Sequence, residues 1–374
     1  MTAPAGSATA DVAVVGTGLI GLAAAVALAE RGLDVLLVGQ PRPGESSPAG
    51  AGMLAPSLED TNPGASADPV HQFAVASLAR YPGYLQSLTD RSGVPVPLNR
   101  RGILRVALHA SEADTLRQLQ GANAHWLDAP DVLAIEPGLA PVAGAMFYPT
   151  GGAVDNLALL EALAAAIARS PRIRWIRTDV RAIAVNGSGA TCATSNGGTP
   201  VRSAHVVLAA GAWVNGIAGL PRLLPIEPYR GQMFSVAATG AAVLRHVVYG
   251  PDAYLVPRGD RVLVGATMER AGFDADTTDE ALASIRSGAA AFWPVVSTAT
   301  TTAKWAGLRP VTPDLLPILG RDPDHPSLIY ACGHSRNGIL MAPLTGDCVV
   351  ALVTGDAPPA DLSAFGVARF SRDT

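Results

Sequence analysis

Three glycines near the start of the chain have the spacing of a phosphate-binding turn. Gly16, Gly18 and Gly21 form a G-x-G-x-x-G pattern within the stretch DVAVVGTGLIG. Gly16 would allow a tight turn, Gly18 would let the backbone approach a pyrophosphate, and Gly21 would let a helix pack closely on a sheet. Backbone amides at the start of that helix, at Leu19 and Ile20, would then point at the phosphates. The pattern therefore predicts a dinucleotide site.

The sequence around these glycines predicts the strand, turn and helix that such a site requires. DVAVV is a short strand rich in β-branched residues, the helix runs from about residue 19 to 31, and LDVLLV is a second parallel strand after Gly32. The apolar run over residues 12–29 just reaches the length of a membrane span. Its spaced glycines, with Asp11 and Glu30 at its ends, favour the strand and helix instead, so we expect no membrane span.

The acidic residue that usually binds the adenosine ribose is missing from its expected place. Dinucleotide folds with this pattern usually carry Asp or Glu about 20 residues further along the chain, at the end of the second strand. Here that place holds Gly39 and Gln40. Arg42, close by, could instead contact the 2′-phosphate of NADP. The glycine pattern alone therefore leaves the identity of the nucleotide open.

Composition and charge narrow the class of protein. The chain has 374 residues, more than one hydrophobic core usually serves, so we expect two domains. The net charge of −4, without a long run of one sign, argues against a nucleic-acid partner or a polybasic membrane contact. The widely spaced cysteines indicate neither a metal site nor a disulfide framework. The first ten residues lack the basic and apolar regions of a signal peptide, so a cytoplasmic enzyme is expected.

Five further segments narrow the choice of nucleotide. They are SSPAGAGMLAP (46–56), AAGAW (209–213), YLVPRGDRVLVGATME (254–269), WAGLRPVTPDLLPILG (305–320) and GHSRNGILMAP (333–343). Their order and spacing resemble the glycine oxidases, the thiamine-pathway members of the D-amino-acid oxidase and sarcosine oxidase superfamily of flavoproteins. The resemblance runs from about Asp11 to Asp347. It implies that the nucleotide is FAD.

The resemblance also implies an α/β fold, α+β overall, built from two domains. The first would be a doubly wound, Rossmann-like FAD-binding domain made of residues 1–90, 151–224 and 303–374. The second would be a substrate-binding domain built on an antiparallel sheet and made of residues 91–150 and 225–302. The curved face of that sheet would cover the flavin.

Four residues would form the substrate site if the resemblance holds. Arg309 matches the arginine that binds the substrate carboxylate, for which the paired donors of a guanidinium are well suited. Tyr254 matches a tyrosine whose hydroxyl joins the same carboxylate, and Arg336 matches a second arginine near the flavin. Met53 matches a methionine in the pocket wall, which would favour small substrates. Asp252 stands where a better-known member has histidine, which leaves the fine substrate preference open.

The FAD contacts would come from several distant segments of the chain. Ser46 and Ser47 would meet the pyrophosphate, and the backbone of Val180 would contact adenine. Backbone amides of the RNGILMAP segment would lie at the flavin O2 edge, before a helix from about Pro343. Since no cysteine occurs around KWAGLRP, where relatives attach the flavin, we expect non-covalent FAD. The full set is Gly16, Gly18, Leu19, Ile20, Gly21, Ser46, Ser47, Ala51, Gly52, Met53, Val180, Ala210, Gly211, Trp213, Arg336, Asn337, Gly338, Ile339 and Leu340.

The implied activity is oxidation of a small amino acid or amine by O2. Hydride would pass from the α-carbon to flavin N5, chemistry that the flavin supplies, and the imine would hydrolyse to a 2-oxo acid while O2 becomes H2O2. The alternative is a dehydrogenase that passes electrons to a quinone or a partner flavoprotein. From a different class, the chain could be a non-catalytic flavin-binding subunit or an NADP-binding module. Members of the family are often oligomeric, so a homo-oligomer is an open possibility.

Overall fold

Two large β-sheets contain most of the strands of the protein. The computed structural model describes residues 8–56, 58, 68–121, 123–186, 189–194, 200–238, 240 and 243–370. In chain order the strands are β1 (Ala8–Val15), β2 (Val35–Val38), β3 (Met53–Leu54), β4 (Leu98–Asn99), β5 (Ile103–Ala107), β6 (His125–Asp128), β7 (Gly144–Tyr148), β8 (Gly152–Val154), β9 (Ile173–Ile176), β10 (Val180–Asn186), β11 (Gly189–Thr194), β12 (Val201–Leu208), β13 (Glu227–Ala237), β14 (Val247–Tyr249), β15 (Tyr254–Arg258), β16 (Arg261–Gly265), β17 (Thr301–Val311), β18 (Ile318–Arg321) and β19 (Leu328–Cys332). The α-helices are α1 (Leu19–Glu30), α2 (Ser46–Ala49), α3 (Pro69–Ser92), α4 (Ala110–Arg117), α5 (Ala129–Ile135), α6 (Asn156–Arg169), α7 (Asp279–Ala290) and α8 (Gly338–Thr354).

The first sheet is the doubly wound sheet that the sequence predicts. Its strands lie in the order β10-β11-β12-β1-β2-β9, with β19 beside β12 and β18 beside β19. β1 pairs in parallel with both β12 and β2, and every residue of β2 is buried, as expected for parallel strands covered on both faces. α1 packs against this sheet through apolar residues such as Leu22 and Leu28. The predicted strand, turn and helix are therefore present, and the helix ends at Glu30.

The second sheet has the order β17-β13-β16-β15-β14-β5-β7-β6. Its strand pairs are antiparallel except for β14 with β5. One face forms a core with α7, in which Phe234, Leu255 and Trp293 are buried. β17 pairs with β13 almost throughout its length. The sheet thus continues through residue 311, and the predicted domain boundary at residue 303 falls inside one of its strands.

The last helix begins earlier than predicted. α8 starts at Gly338, so the expected start near Pro343 was wrong. A proline inside a helix removes the hydrogen bond to the carbonyl four residues before it. In this helix that carbonyl belongs to Ile339, and it accepts a hydrogen bond from the Tyr81 hydroxyl instead. Across the described ranges, no helix is both long enough and apolar enough to cross a bilayer.

An arginine whose side chain is only 11% exposed joins the two sheets. The guanidinium of Arg258, on β15, donates to Oδ1 of Asn156 (2.6 Å) and to the carbonyl of Ala51 (2.7 Å). Asn156, at the start of α6, is fully buried and donates from Nδ2 to the carbonyl of Ser47 (2.8 Å). These hydrogen bonds attach the segment of residues 46–52 both to the second sheet and to the helical layer of the first.

Replacing Arg258 by methionine is expected to destabilise the protein strongly. Methionine keeps much of the side-chain volume but leaves the oxygens of Ala51 and Asn156 without their charged donor. Two hydrogen bonds to a charged group are lost, each worth about 1.5–3 kcal/mol, so the free energy of unfolding should fall by about 3–5 kcal/mol. The control Arg261→Met, on β16, where the arginine side chain is 45% exposed, should change it by less than about 0.5 kcal/mol. Urea unfolding measured by circular dichroism tests both variants, and equal effects would contradict the expectation.

Candidate active site

A large cavity lies at the carboxyl ends of the parallel strands of the first sheet. It has a volume of about 620 Å³, and its walls include the residues that follow β1, β2, β12 and β19. Ligands of open α/β sheets bind in this position because the loops after the strands diverge there. The volume lies within the range of about 300–1,000 Å³ that is usual for cofactor sites. We call this space the dinucleotide cavity.

The glycine turn at the start of the dinucleotide cavity leaves no room for a side chain at two of its three glycines. Gly16 has a φ of +115°, and a Cβ atom there would lie 2.3 Å from the carbonyl oxygen of Ala209. A Cβ atom on Gly21 would lie 2.0 Å from the carbonyl oxygen of Gly16, so α1 packs directly on the turn. Gly18 instead faces the cavity wall beside Ser47. The structure thus has a tight turn at Gly16 and close helix packing at Gly21, whereas the approach of a pyrophosphate to Gly18 stays a prediction.

A serine hydroxyl caps the start of α1 at the same place. Ser47 Oγ accepts a hydrogen bond from the Leu19 backbone amide (2.9 Å). Since the hydroxyl accepts from this amide, its own proton remains available to donate toward the cavity. Ser47 and the first turn of α1 thus place donors where a pyrophosphate would lie, at the positive end of the helix dipole. The lining of this cavity therefore fits a dinucleotide.

Aromatic and imidazole side chains form other parts of the dinucleotide cavity wall. Trp213 lies in the turn after β12, and its ring centroid is 5.7 Å from that of Phe273. His334 follows β19 and its Nε2 atom lies 3.1 Å from the Thr345 hydroxyl. Burial lowers the pKa of His334 to about 4, so this side chain is neutral at physiological pH. The wall at this position carries no imidazolium charge.

A second cavity of about 190 Å³ continues from the first. Ser46, Gly50, Arg309, Arg336 and Ile339 line both, so they form a shared wall between the two spaces. We call the second space the small cavity. It lies between the segment of residues 46–52 and the second sheet, the position expected for a substrate next to the reactive end of a long cofactor.

Arg309 is held in the small cavity by close packing against the neighbouring strand. Its guanidinium lies over Gly231 of β13, where a Cβ atom would be only 2.0 Å from Nη1. Nη1 also donates to the carbonyl of Thr267 (3.0 Å). Tyr254 adjoins the guanidinium. Burial raises the pKa of the Tyr254 hydroxyl, although the positive charge of Arg309 opposes that shift, and the tyrosine therefore keeps its proton at neutral pH.

One loop, residues 266–278, contributes to both cavities. Thr267 and Met268 line the small cavity, whereas Phe273 lines the dinucleotide cavity. Arg230 of β13 attaches the loop, because its Nη2 lies 2.7 Å from the Glu269 carboxylate and its Nη1 lies 2.6 Å from Asp274. The arginine side chain is only 10% exposed, whereas Glu269 is 31% exposed and Asp274 is 52% exposed.

Most of the predicted site residues line one of the cavities. Gly21 does not, because it packs against Gly16, and Leu340 is buried in the core of the first domain. The lining residues are Gly16, Gly18, Leu19, Ile20, Ser47, Val180, Ala210, Gly211, Trp213 and Gly338 in the dinucleotide cavity, Ala51, Gly52, Met53, Asp252, Tyr254 and Asn337 in the small cavity, and Ser46, Arg309, Arg336 and Ile339 in both.

The chain belongs to a known family of flavoenzymes. Residues 11–352 match the DAO family of FAD dependent oxidoreductases. FAD is therefore the cofactor and the protein is an oxidoreductase, as the sequence predicts.

Individual relatives agree with this family assignment. The glycine oxidase of Geobacillus kaustophilus (strain HTA426) is 34% identical over 370 residues, which cover 96% of this chain and 97% of that protein. The crystal structure of glycine oxidase from G. kaustophilus matches with a TM-score of 0.90 and covers 97% of this chain and 99% of that one. The bifunctional protein ThiO/ThiG of Nostoc sp. (strain PCC 7120) is 33% identical, and this chain spans 55% of its length. The predicted resemblance and fold class are confirmed.

Several residues of the two cavities were not identified from the sequence. Gly231 and Thr267 position Arg309, but each is close to it only because of strand pairing and loop folding. The sequence offers one weak indication of a role for Phe273, which is an isolated aromatic residue within the polar stretch ERAGFDADTTDE. Asp179 also lines the dinucleotide cavity. It precedes Val180, a predicted contact, and its position shortly after a parallel strand could have marked it.

Gly231→Ala is expected to displace the Arg309 guanidinium. The new methyl group would occupy the space of Nη1, and a misplacement of about 1 Å can lower catalytic efficiency about 100-fold. We expect kcat/KM for glycine to fall by about that factor while FAD stays bound. Gly83→Ala, in α3, where a Cβ atom would meet nothing within 4 Å, is the control. Steady-state kinetics measure kcat/KM, and the flavin absorbance shows whether FAD stays bound. Unchanged kinetics would mean that Arg309 can move without an effect on catalysis.

Proposed function

We propose that the protein oxidises glycine and other small amines or D-amino acids. The observation that carries the proposal is the pairing of Arg309 with Tyr254 in a small cavity that opens into the dinucleotide cavity. An arginine presents parallel donors that match a carboxylate. Relatives that match nearly the whole chain are named glycine oxidase, which supports the proposal.

Arg309 and Tyr254 bind and orient the substrate in this proposal. Arg309 donates one Nη1 hydrogen to the Thr267 carbonyl, and its remaining N–H groups donate hydrogen bonds to the substrate carboxylate. Tyr254 donates its hydroxyl hydrogen to the same carboxylate. Two anchors fix the direction of the substrate α-hydrogen better than one. FAD supplies the hydride acceptor, and O2 takes the electron pair to give H2O2.

The size of the small cavity favours a substrate with a short side chain or none. Its volume of about 190 Å³ is below the range of about 300–1,000 Å³ that is common for ligand sites. Met53, Met268 and Tyr249 line it and leave little room for a long side chain. Asp252 adds a carboxylate to the lining, and this charge would attract the amino group of an incoming substrate.

Peroxide release from the purified protein tests the proposal. Glycine, sarcosine, D-alanine and D-proline are each added aerobically, and H2O2 is measured with a peroxidase dye. We expect peroxide with glycine or sarcosine. Reduction of the flavin without peroxide, restored by an artificial electron acceptor, would favour the dehydrogenase instead. A flavin that no amine reduces would favour a non-catalytic subunit.

Two further proposals concern the cell and the assembly rather than the chemistry. We propose a cytoplasmic location and a homo-oligomeric state, the latter because related enzymes often assemble in this way. Cell fractionation tests the first and light scattering of the purified protein tests the second.

Arg309→Lys is expected to lose most turnover on glycine while retaining FAD. Lysine preserves the charge but offers no fixed pair of donors, so the carboxylate pivots and the α-hydrogen leaves its line to the flavin. We expect a loss in kcat/KM of about 100-fold. The flavin spectrum reports the cofactor, and an unchanged kcat/KM would remove Arg309 from the substrate site.

Tyr254→Phe is expected to act mainly on substrate binding. The variant removes one hydrogen bond to a charged group, which contributes about 1.5–3 kcal/mol. KM for glycine should therefore rise at least about 10-fold, with a smaller change in kcat. If KM stays the same, the hydroxyl does not contact the carboxylate. Tyr229→Phe, whose hydroxyl pairs with Arg270 on the surface, is the matched control and should leave KM unchanged.

A further inference from the structure

The missing acid at the end of β2 has a structural reason. Gly39 has a φ of +153°, a backbone conformation that residues with side chains rarely adopt. A Cβ atom at this position would also lie 2.9 Å from Cγ2 of Thr17, in the glycine turn. A carboxylate at residue 39 would therefore require both a strained backbone and a shift of the Thr17 side chain. If an acid binds the ribose in this protein, it must come from elsewhere.

Asp179 lies beside this position, at the end of the neighbouring strand. β9 pairs in parallel with β2, and the Gly39 amide donates to the carbonyl of Ile176 (3.1 Å). The indole Nε1 of Trp175 donates to the Gly39 carbonyl (2.9 Å), which holds the two strand ends together. Asp179 follows β9 by three residues and lines the same end of the dinucleotide cavity as Gly39 and Gln40.

Two side chains from the loop after β2 hold the Asp179 carboxylate. Gln40 Nε2 donates to Oδ2 (3.1 Å), and the Arg42 guanidinium lies 2.6 Å from Oδ1. Asp179 remains 30% exposed in this arrangement. Because a carboxylate offers about four acceptor positions, it can still accept a hydrogen bond from a ligand hydroxyl. Arg42 also offsets the repulsion between this carboxylate and a nearby pyrophosphate.

We propose that Asp179 replaces the missing acid and accepts a hydrogen bond from a hydroxyl of the adenosine ribose of FAD. Gln40 and Arg42 are positioning residues that hold the carboxylate toward the cavity. The ribose anchor has moved from one parallel strand to its neighbour, while the loop after β2 still takes part through these two side chains. The proposal depends on FAD as the cofactor and not on the identity of the substrate.

Removal of the charge by Asp179→Asn tests the proposal. The full-length protein is stripped of FAD, and dissociation constants are measured from the quenching of flavin fluorescence. We expect the Kd for FAD to rise about 10- to 100-fold, the effect of losing a hydrogen bond to a charged group. The Kd for FMN, which lacks adenosine, should change less than about two-fold since the other contacts persist. An unchanged Kd for FAD would overturn the proposal, and so would an equal rise for both flavins.

Asp34→Asn is the matched control. Asp34 precedes β2 and pairs with Arg172 before β9 at 3.0 Å, so this ion pair bridges the same two strands at their opposite ends. Its loss should leave the Kd for both flavins unchanged. A rise in the Kd for FAD equal to that of Asp179→Asn would show that any ion pair between these strands supports the cavity, and would overturn the assignment to the ribose.

FAD analogues give a second test, whose wild-type arm does not depend on folding of the variant. Analogues whose adenosine ribose lacks either the 2′- or the 3′-hydroxyl are bound to the wild-type protein and to Asp179→Asn. At least one analogue should bind the wild type about 10-fold more weakly than FAD. The Asn variant should no longer distinguish that analogue from FAD, because the removed hydroxyl and the removed charge are partners. A wild-type protein that binds both analogues as tightly as FAD would overturn the proposal.

Discussion

Both cavities depend on the largely buried guanidinium of Arg258, which holds the segment between them. A charge removed from water is tolerated only when its donors are hydrogen-bonded, and the groups that satisfy Arg258 come from opposite parts of the chain. They include the carbonyl of Ala51 and the amide oxygen of Asn156, and Asn156 in turn holds the carbonyl of Ser47. These hydrogen bonds therefore hold the segment that separates the dinucleotide cavity from the small cavity.

The parts of the site that could be predicted from the sequence are local. The glycine turn combines a strand, a turn and a helix within one short stretch, and the steric limit at Gly21 arises inside that unit. The limit at Gly16 is set by Ala209, after the distant strand β12, although the positive φ of Gly16 belongs to the local turn. Arg309 and Tyr254 differ from the glycines, because no local sequence pattern around them indicates a role. The resemblance of whole segments to a family predicts their roles, and both residues line the small cavity.

The parts that could not be predicted depend on pairing between distant strands. Gly231 meets the Arg309 guanidinium only because β13 and β17 pair in one register. Asp179 reaches the end of β2 only because β9, far along the chain, becomes its parallel neighbour. The start of α8 was misjudged for a similar reason, since the Tyr81 hydroxyl that satisfies the helix around Pro343 comes from α3. Local sequence patterns carry no information about such partners.

The loop of residues 266–278 makes the two ends of the site structurally interdependent. In the small cavity, the Thr267 carbonyl of the loop accepts a hydrogen bond from Arg309, and in the dinucleotide cavity Phe273 packs against Trp213. Between these two residues, Glu269 forms an ion pair with Arg230 of the second sheet. An engineer who reshapes this loop to admit a larger substrate also moves a wall of the cofactor cavity. Substitutions in this loop that are selected for a new amine substrate therefore also change how tightly FAD is bound. Variant libraries of the loop need excess FAD in the assay, so that variants with weaker FAD binding still show their activity.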